Sequence, residues 1–129
     1  MSKLILVVDD EERIREVVRA CLEELAGWSV ITAESAETAL SKAKTTSPNA
    51  ILLDISMPDI DGLTLCRQLQ ADPVTRPVPI ILLTAKVLSM NTAELACLGV
   101  MTVIMKPFDP IQICVQIAES LGWEVNLNL

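Results

Sequence analysis

Aliphatic runs of strand length recur along this chain, and each is followed by apolar residues at helical spacing. Lys3 to Val8 is the first such run, rich in β-formers as a strand buried on both faces of a parallel sheet requires. Ile14, Val17, Val18, Cys21, Leu22 and Leu25 then recur with the period of a helix, and Gly27 is placed to end it. The alternation continues with Trp28 to Thr32 as strand, Ser35 to Lys44 as a helix capped by Ser35, and Ala50 to Leu53 as the third strand. Gly62 to Gln70 reads as helix, Val78 to Leu83 as strand, Asn91 to Leu98 as a helix closed by Gly99, and Val100 to Met105 as strand. Asp109 opens a last helix that ends near Leu121 and Gly122. Parallel neighbours need crossover connections, and these are right-handed, so the alternation predicts an α/β fold: a five-stranded parallel sheet, doubly wound, with helices on both faces.

At 129 residues the chain has the size of one domain. The expected division is a domain over 1–122 and a tail over 123–129. Val125, Leu127 and Leu129 alternate in that tail as an edge strand or docking segment would, but fraying is the expectation adopted. Mean hydropathy is positive, yet the most apolar stretches, Val78 to Leu83 and Val100 to Met105, fall far short of the roughly 18 to 20 residues that cross a bilayer. No small-residue cleavage site follows the first apolar run, which closes on Asp9, Asp10 and Glu11. The expectation is a cytoplasmic protein without a membrane partner. A formal charge of −7 argues against phosphate-backbone contacts, so no nucleic acid is expected as partner. The absence of histidine removes His-based triads and imidazole metal ligands. Cys21, Cys66, Cys97 and Cys114 form no C-x-x-C pair and are expected to be reduced, buried packing residues.

In open α/β sheets ligands bind at the carboxyl ends of the strands. Here the first strand delivers Asp9 and Asp10, the third Asp54, the fourth Thr84 and the fifth Lys106. Any one of these has a plainer explanation: Asp9, Asp10 or Asp109 as a helix N-cap, Thr84 as a β-former, Lys-Pro as a loop. Jointly they bring three carboxylates, a hydroxyl and an ammonium to one mouth. That surplus of negative charge drives one carboxylate towards protonation unless a divalent cation is bound, and Mg²⁺ (or Mn²⁺ in its place) suits a site of carboxylates and phosphate oxygens. With the cation bound, a carboxylate can attack phosphorus and form an aspartyl-phosphate.

From about residue 3 to residue 121 the chain resembles a response-regulator receiver domain of two-component signalling, the CheY-like type, here as a stand-alone domain. Four motifs stand in family order: Val7-Val8-Asp9-Asp10-Glu11, the acceptor loop from Leu52-Leu53-Asp54 through Ser56 to Gly62, Leu83-Thr84-Ala85, and Lys106-Pro107-Phe108. The resemblance implies a flavodoxin-like strand order 2-1-3-4-5. It implies phosphorylation of Asp54, with Mg²⁺ held by Asp10, Asp54 and the backbone carbonyl of Ser56, and by Asp9 mainly through water. Thr84, the backbone amide of Ala85 and Lys106 would hold phosphoryl oxygens, and a cis Lys-Pro bond would aim the lysine inward. Gly62 takes a backbone role that glycine's wide φ range permits, against the plainer reading of a loop glycine. Ser56 and Lys86 match positions that tune the lifetime of the phosphoryl group.

The implied partners are a histidine kinase or histidine phosphotransfer protein, an effector protein not identified by the sequence, and a second copy through the fourth-helix, fifth-strand and fifth-helix face. Such a domain is not an enzyme beyond catalysing its own phosphorylation and dephosphorylation. One departure concerns readout. The family usually has Tyr or Phe three residues before the lysine, where this chain has Val103, and the fifth strand is apolar throughout, suited either to core or to an exposed docking patch. Val103 favours an alternative, a phosphorylation-independent interaction module. A small aspartyl-phosphate phosphohydrolase is a third reading, against which Ser56 stands where such phosphatases place a second aspartate.

Overall fold

The computed structural model describes residues 3–55, 61–85 and 90–128. Its elements are β1 (Leu4–Val8), α1 (Glu12–Ala20), β2 (Ser29–Ala33), α2 (Ala36–Thr46), β3 (Ala50–Asp54), α3 (Gly62–Ala71), β4 (Ile80–Thr84), α4 (Thr92–Cys97), β5 (Val100–Met105) and α5 (Pro110–Leu121). The strands form one five-stranded sheet in the order β2-β1-β3-β4-β5, and every pairing is parallel. This is the doubly wound, flavodoxin-like arrangement expected from the alternation and the resemblance. The first helix runs longer than α1 alone, since it widens into a π-type turn over Cys21–Leu25 before the chain reverses.

Burial follows position in the sheet. β3 and β4 are buried along their whole length, whereas the outer strands β2 and β5 alternate between buried and accessible residues. A parallel strand covered on both faces has no solvated side for polar residues, which is why Ile-Leu-Leu and Ile-Ile-Leu-Leu runs occupy the centre. On one face Ile5, Val7, Leu52, Leu83 and Ile104 pack with Val18 and Leu22 and with Ile113 and Ile117 of α5. On the other, Leu6, Val8, Ile51, Leu53 and Leu82 pack with Ala39 and Ala43 of α2 and Leu65 and Leu69 of α3. Successive side chains of a strand point to opposite faces, so each run feeds both cores. Side-chain caps begin α2 and α5: Ser35 Oγ accepts from the Thr38 amide at 3.1 Å, and Asp109 Oδ1 from the Ile111 and Gln112 amides at 2.9 and 3.1 Å.

The apolar fifth strand is divided between core and surface. Ile80 lies opposite Val100 but Ile81 lies opposite Thr102, so Met101 is an extra residue in a bulge. Val100 and Ile104 are buried, while Met101 and Met105 are 55% and 44% exposed. Cys21, Cys66 and Cys114 are buried free thiols, but Cys97 on α4 is exposed, contrary to the expectation of four packing residues. Among the described residues no helix is long and apolar enough to cross a membrane.

Residues 123–128 do not fray. The Trp123 ring meets Trp28 edge-on, with centroids 5.4 Å apart and planes at 78°, and the Lys3 ammonium sits 5.0 Å from the Trp123 ring centroid. Val125 and Leu127 continue along the same core, and the Asn128 amide donates to the Leu25 carbonyl at 2.8 Å. The alternating apolar positions thus form an extended strap over the end of the first helix. Trp123→Ala should destabilise the fold by about 1–3 kcal/mol, below the value for a fully buried tryptophan because the ring is half-buried. Urea denaturation measures this, and an unchanged midpoint would mean that the strap contributes nothing to folding.

Candidate functional site

The carboxyl ends of β1, β3, β4 and β5 open on one mouth. Asp54 is the last residue of β3 and is 3% exposed. Lys106 follows β5 directly; its amide donates to the Thr84 carbonyl at 2.7 Å, and its Nζ donates to Asp54 Oδ2. The Lys106-Pro107 peptide is cis. Thr84 ends β4 and is buried, and Ala85 follows it at the rim. The expected lysine, threonine and acceptor carboxylate therefore stand on β3 and on strands beside and beyond it.

Asp9 follows the end of β1. Its amide donates to the Ala33 carbonyl at 3.1 Å, its Oδ1 accepts from the Glu11 amide at 2.9 Å, and its backbone carbonyl accepts from Arg15 Nη1 at 2.8 Å. Asp9 is therefore not the cap of α1, whose N-cap is Glu11 without a side-chain cap bond; one of its carboxylate oxygens serves the turn before the helix. The other, Oδ2, is buried and receives no donor. Burial, and then the neighbouring Asp54 carboxylate, push the Asp9 carboxyl up from 3.8 to about 7, although the Glu11 amide and the Lys106 ammonium pull the other way. Asp10 is half-buried beside it. Ser56 and Lys86 lie outside the described residues.

This chemistry is suited to a small hard cation. Lys106 is engaged with Asp54, so the adjoining carboxylate at Asp9 is left with a buried lone-pair oxygen and no positive partner of its own. Magnesium typically takes one or two carboxylates, keeps several waters, and adds phosphate oxygens. Asp9, Asp10 and Asp54 supply carboxylates of that kind. Among the described residues no group of three or more Cys, Asp or Glu side chains is arranged as a metal cage.

Three features went unread in the sequence. Arg15, one turn into α1, reaches back to Asp9; long helical side chains lean towards the N-terminus, so its position after the acidic run was the available signal. Beside the mouth, Ile14, Val17, Ala85, Lys106, Pro107, Phe108 and Pro110 line an apolar cleft of about 430 Å³, which explains why Val17, counted with the helix's apolar face, is 46% exposed. On the far side of β5, Val103 is half-buried and lines an open cavity of about 260 Å³ with Thr92 and Leu95 of α4. Gly62 needs a different account from the one its motif suggests. It is not among the described glycines with positive φ, but a β-carbon there would lie 2.3 Å from Ile55 Cγ2 and 3.0 Å from its Cβ. Close approach to the residue after Asp54, not left-handed backbone, demands glycine.

Comparison with known proteins gives a consistent answer. A family model described as "Response regulator receiver domain" matches residues 5–118. The chain is 41% identical over 113 residues to the alkaline phosphatase synthesis transcriptional regulatory protein PhoP of Bacillus subtilis, covering 88% of this chain and 46% of that protein. It is 37% identical over 121 residues to the phosphate regulon transcriptional regulatory protein PhoB of Pseudomonas aeruginosa, covering 94% of this chain and 52% of that protein. The chain thus spans about half the length of these relatives. Among solved structures, the chemotaxis response regulator CheY4 of Vibrio cholerae superposes with a TM-score of 0.82 at 27% identity, covering 93% of this chain and 99% of that one. A CheY-like receiver domain protein from Methanospirillum hungatei gives 0.81 at 31% identity, with 95% of each chain covered.

Two outcomes are expected. A carboxyl whose folded-state pKa lies above its unfolded value favours folding most when protonated, so the contribution of Asp9 is complete below 3.8 and is lost as pH rises through about 7. With divalent cations chelated, Asp9→Asn, which keeps an acceptor for the Glu11 amide, should therefore gain stability over the parent progressively between those limits. Parallel stability curves for the two proteins across that range would refute this. Gly62→Ala should cost about 1–3 kcal/mol in chemical denaturation, because β-branched Ile55 cannot swing away from the added methyl.

Proposed function

Because the chain belongs to the response-regulator receiver family of two-component signalling, we propose that it accepts a phosphoryl group on Asp54 in a Mg²⁺-dependent reaction, with a histidine kinase or histidine phosphotransfer protein as donor. The observation that carries this is the buried Asp54 carboxylate held by Lys106 Nζ, with the unpartnered Oδ2 of Asp9 beside it. In this family such domains signal through the phosphorylated state and are not enzymes acting on other substrates, and they generally use Mg²⁺.

Each residue has a task that follows from its surroundings. Asp54 is the nucleophile: Oδ2 accepts from Lys106, so the carboxylate is oriented before a phosphodonor arrives. As the phosphorus–oxygen bond to Asp54 forms and the bond to the donor nitrogen breaks, charge on the equatorial oxygens is met by the Lys106 ammonium, the Thr84 hydroxyl and the Ala85 amide. Asp9, Asp10 and Asp54, with the backbone carbonyl of Ser56, would hold the cation. Bound there, the cation supplies neutralising charge that lets a dianionic phosphoryl group enter an acidic mouth. The apolar cleft lined by Ile14, Val17 and Phe108 adjoins Lys106 and suits docking of the donor protein against the open site.

Output would run through protein contacts made by residues 1–122, a boundary that marks the end of α5 rather than the end of packing. Met101 and Met105, exposed on β5, give the face of α4, β5 and α5 an apolar surface for an effector or a second copy. Transcriptional control in the names of PhoP and PhoB belongs to those longer proteins.

Incubation with Mg²⁺ and acetyl phosphate should add one phosphoryl group by intact mass. Asp54→Asn or chelation of the metal should abolish the adduct, and Lys106→Ala should slow its formation by at least about 100-fold, the scale expected for losing a charge-stabilising donor. Retention of the adduct in Asp54→Asn would place the chemistry elsewhere, and sustained turnover of unrelated phosphate esters would favour a phosphohydrolase.

A further inference from the structure

The peptide that joins the two carboxylates at the end of β1 is gripped by a side chain with no assigned part in phosphoryl transfer. Arg15 Nη1 donates to the Asp9 carbonyl at 2.8 Å, and Arg15 is half-buried. A peptide unit is planar, so the carbonyl of Asp9 and the amide of Asp10 turn together. Holding that oxygen fixes the plane from which Asp10 springs, and with it the last free rotation of Asp9. The other side of Asp9 is already fixed, because its amide donates to Ala33 and its Oδ1 accepts from Glu11. Past Val8 the sheet register with β2 and β3 gives out. Arg15 therefore restrains the acidic pair where the ladder no longer does.

We infer that Arg15 is a positioning residue for the cation: by clamping the Asp9-Asp10 peptide it presents the Asp9 and Asp10 carboxylates in a binding-ready arrangement, and it touches neither metal nor phosphate. This rests on the receiver chemistry proposed above. Binding to a pre-arranged pair avoids the conformational entropy of ordering a loose one, and outer partners of metal ligands commonly control affinity about ten-fold or more. A guanidinium suits the task because its planar fork holds a fixed direction, which a lysine ammonium on a flexible stem does not.

The test compares the parent with R15A, R15Q and R15K by titration calorimetry with Mg²⁺ alone. Thermal stability in chelator and amide exchange at Glu11 are measured alongside. R15A and R15Q should weaken Mg²⁺ binding by about ten-fold, with R15K between them and the parent. The Glu11 amide, which donates to Asp9 Oδ1, should exchange faster in R15A and R15Q before any metal is added. Phosphorylation by acetyl phosphate should need more Mg²⁺ for half-maximal rate while the rate at saturating Mg²⁺ stays near that of the parent. Unchanged Mg²⁺ affinity in folded R15Q and R15K overturns the role of Arg15, even if the melting temperature falls, since the contact would then be structural only. Failure of the parent itself to bind Mg²⁺ overturns the receiver chemistry as well, so the two failures are told apart by the protein in which they occur.

Discussion

Lys106 Nζ and Asp54 Oδ2 meet across 52 positions of sequence, from strands that are not neighbours, with β4 between them. A carboxylate as buried as Asp54 cannot remain ionised in an apolar interior without a cation or several donors, and removing one partner of such a pair leaves an isolated charge whose burial costs several kcal/mol. The lysine can reach only if β3, β4 and β5 lie in that order and in register. Building the sheet and building the site are thus one physical problem, and a fold that misplaced β5 would strand a charge at its centre.

The same pairing leaves the mouth unbalanced. Lys106 answers Asp54 directly, while burial first, and then the neighbouring Asp54, raise the proton affinity of the Asp9 carboxyl. On the receiver chemistry proposed above, such a site responds to whatever supplies positive charge: a proton when the pH is low, a metal ion when one is available. Its rigidity comes from backbone groups and one guanidinium. The amides of Asp9 and Glu11, the Thr84 carbonyl and the Arg15 contact fix the backbone and one carboxylate oxygen without satisfying the other. Unsatisfied polar atoms are rare in protein interiors, and Asp9 Oδ2 is one of them, at the end of β1.

Much of this is legible in the sequence because parallel strands buried on both faces leave a simple signature. Five aliphatic runs, helical spacing between them, and caps such as Ser35 and Asp109 fix the order of elements by local physics. Residues at strand ends follow at once, so Asp9, Asp54, Thr84 and Lys106 were identifiable by position. Harder cases all involved surfaces whose partners lie far away in sequence. The alternation of Trp123, Val125 and Leu127 suits an extended strap, yet only the ledge made by Trp28, Leu25 and the widened end of the first helix gives it something to cover. Cys97 shares the composition of its buried counterparts but sits on a short helix with no buried residue.

Met101 shows the distinction at the scale of one residue. Its strand is apolar from end to end, but the bulge opposite Ile80 and Ile81 turns Met101 outward and leaves Val100 and Ile104 in the core. Gly62 shows it again, since the clash that excludes a β-carbon depends on where Ile55 lies after β3. By itself the sequence determined the strand and helix alternation, the residues delivered to the mouth, and hence the family, because these depend on local propensity and on a strand-end rule that topology enforces. The tertiary structure alone decided which carboxylate oxygen is left without a donor, which arginine reaches the Asp9 carbonyl, and which apolar residues face water. Those properties depend on distances between residues far apart in the chain, which no local pattern encodes.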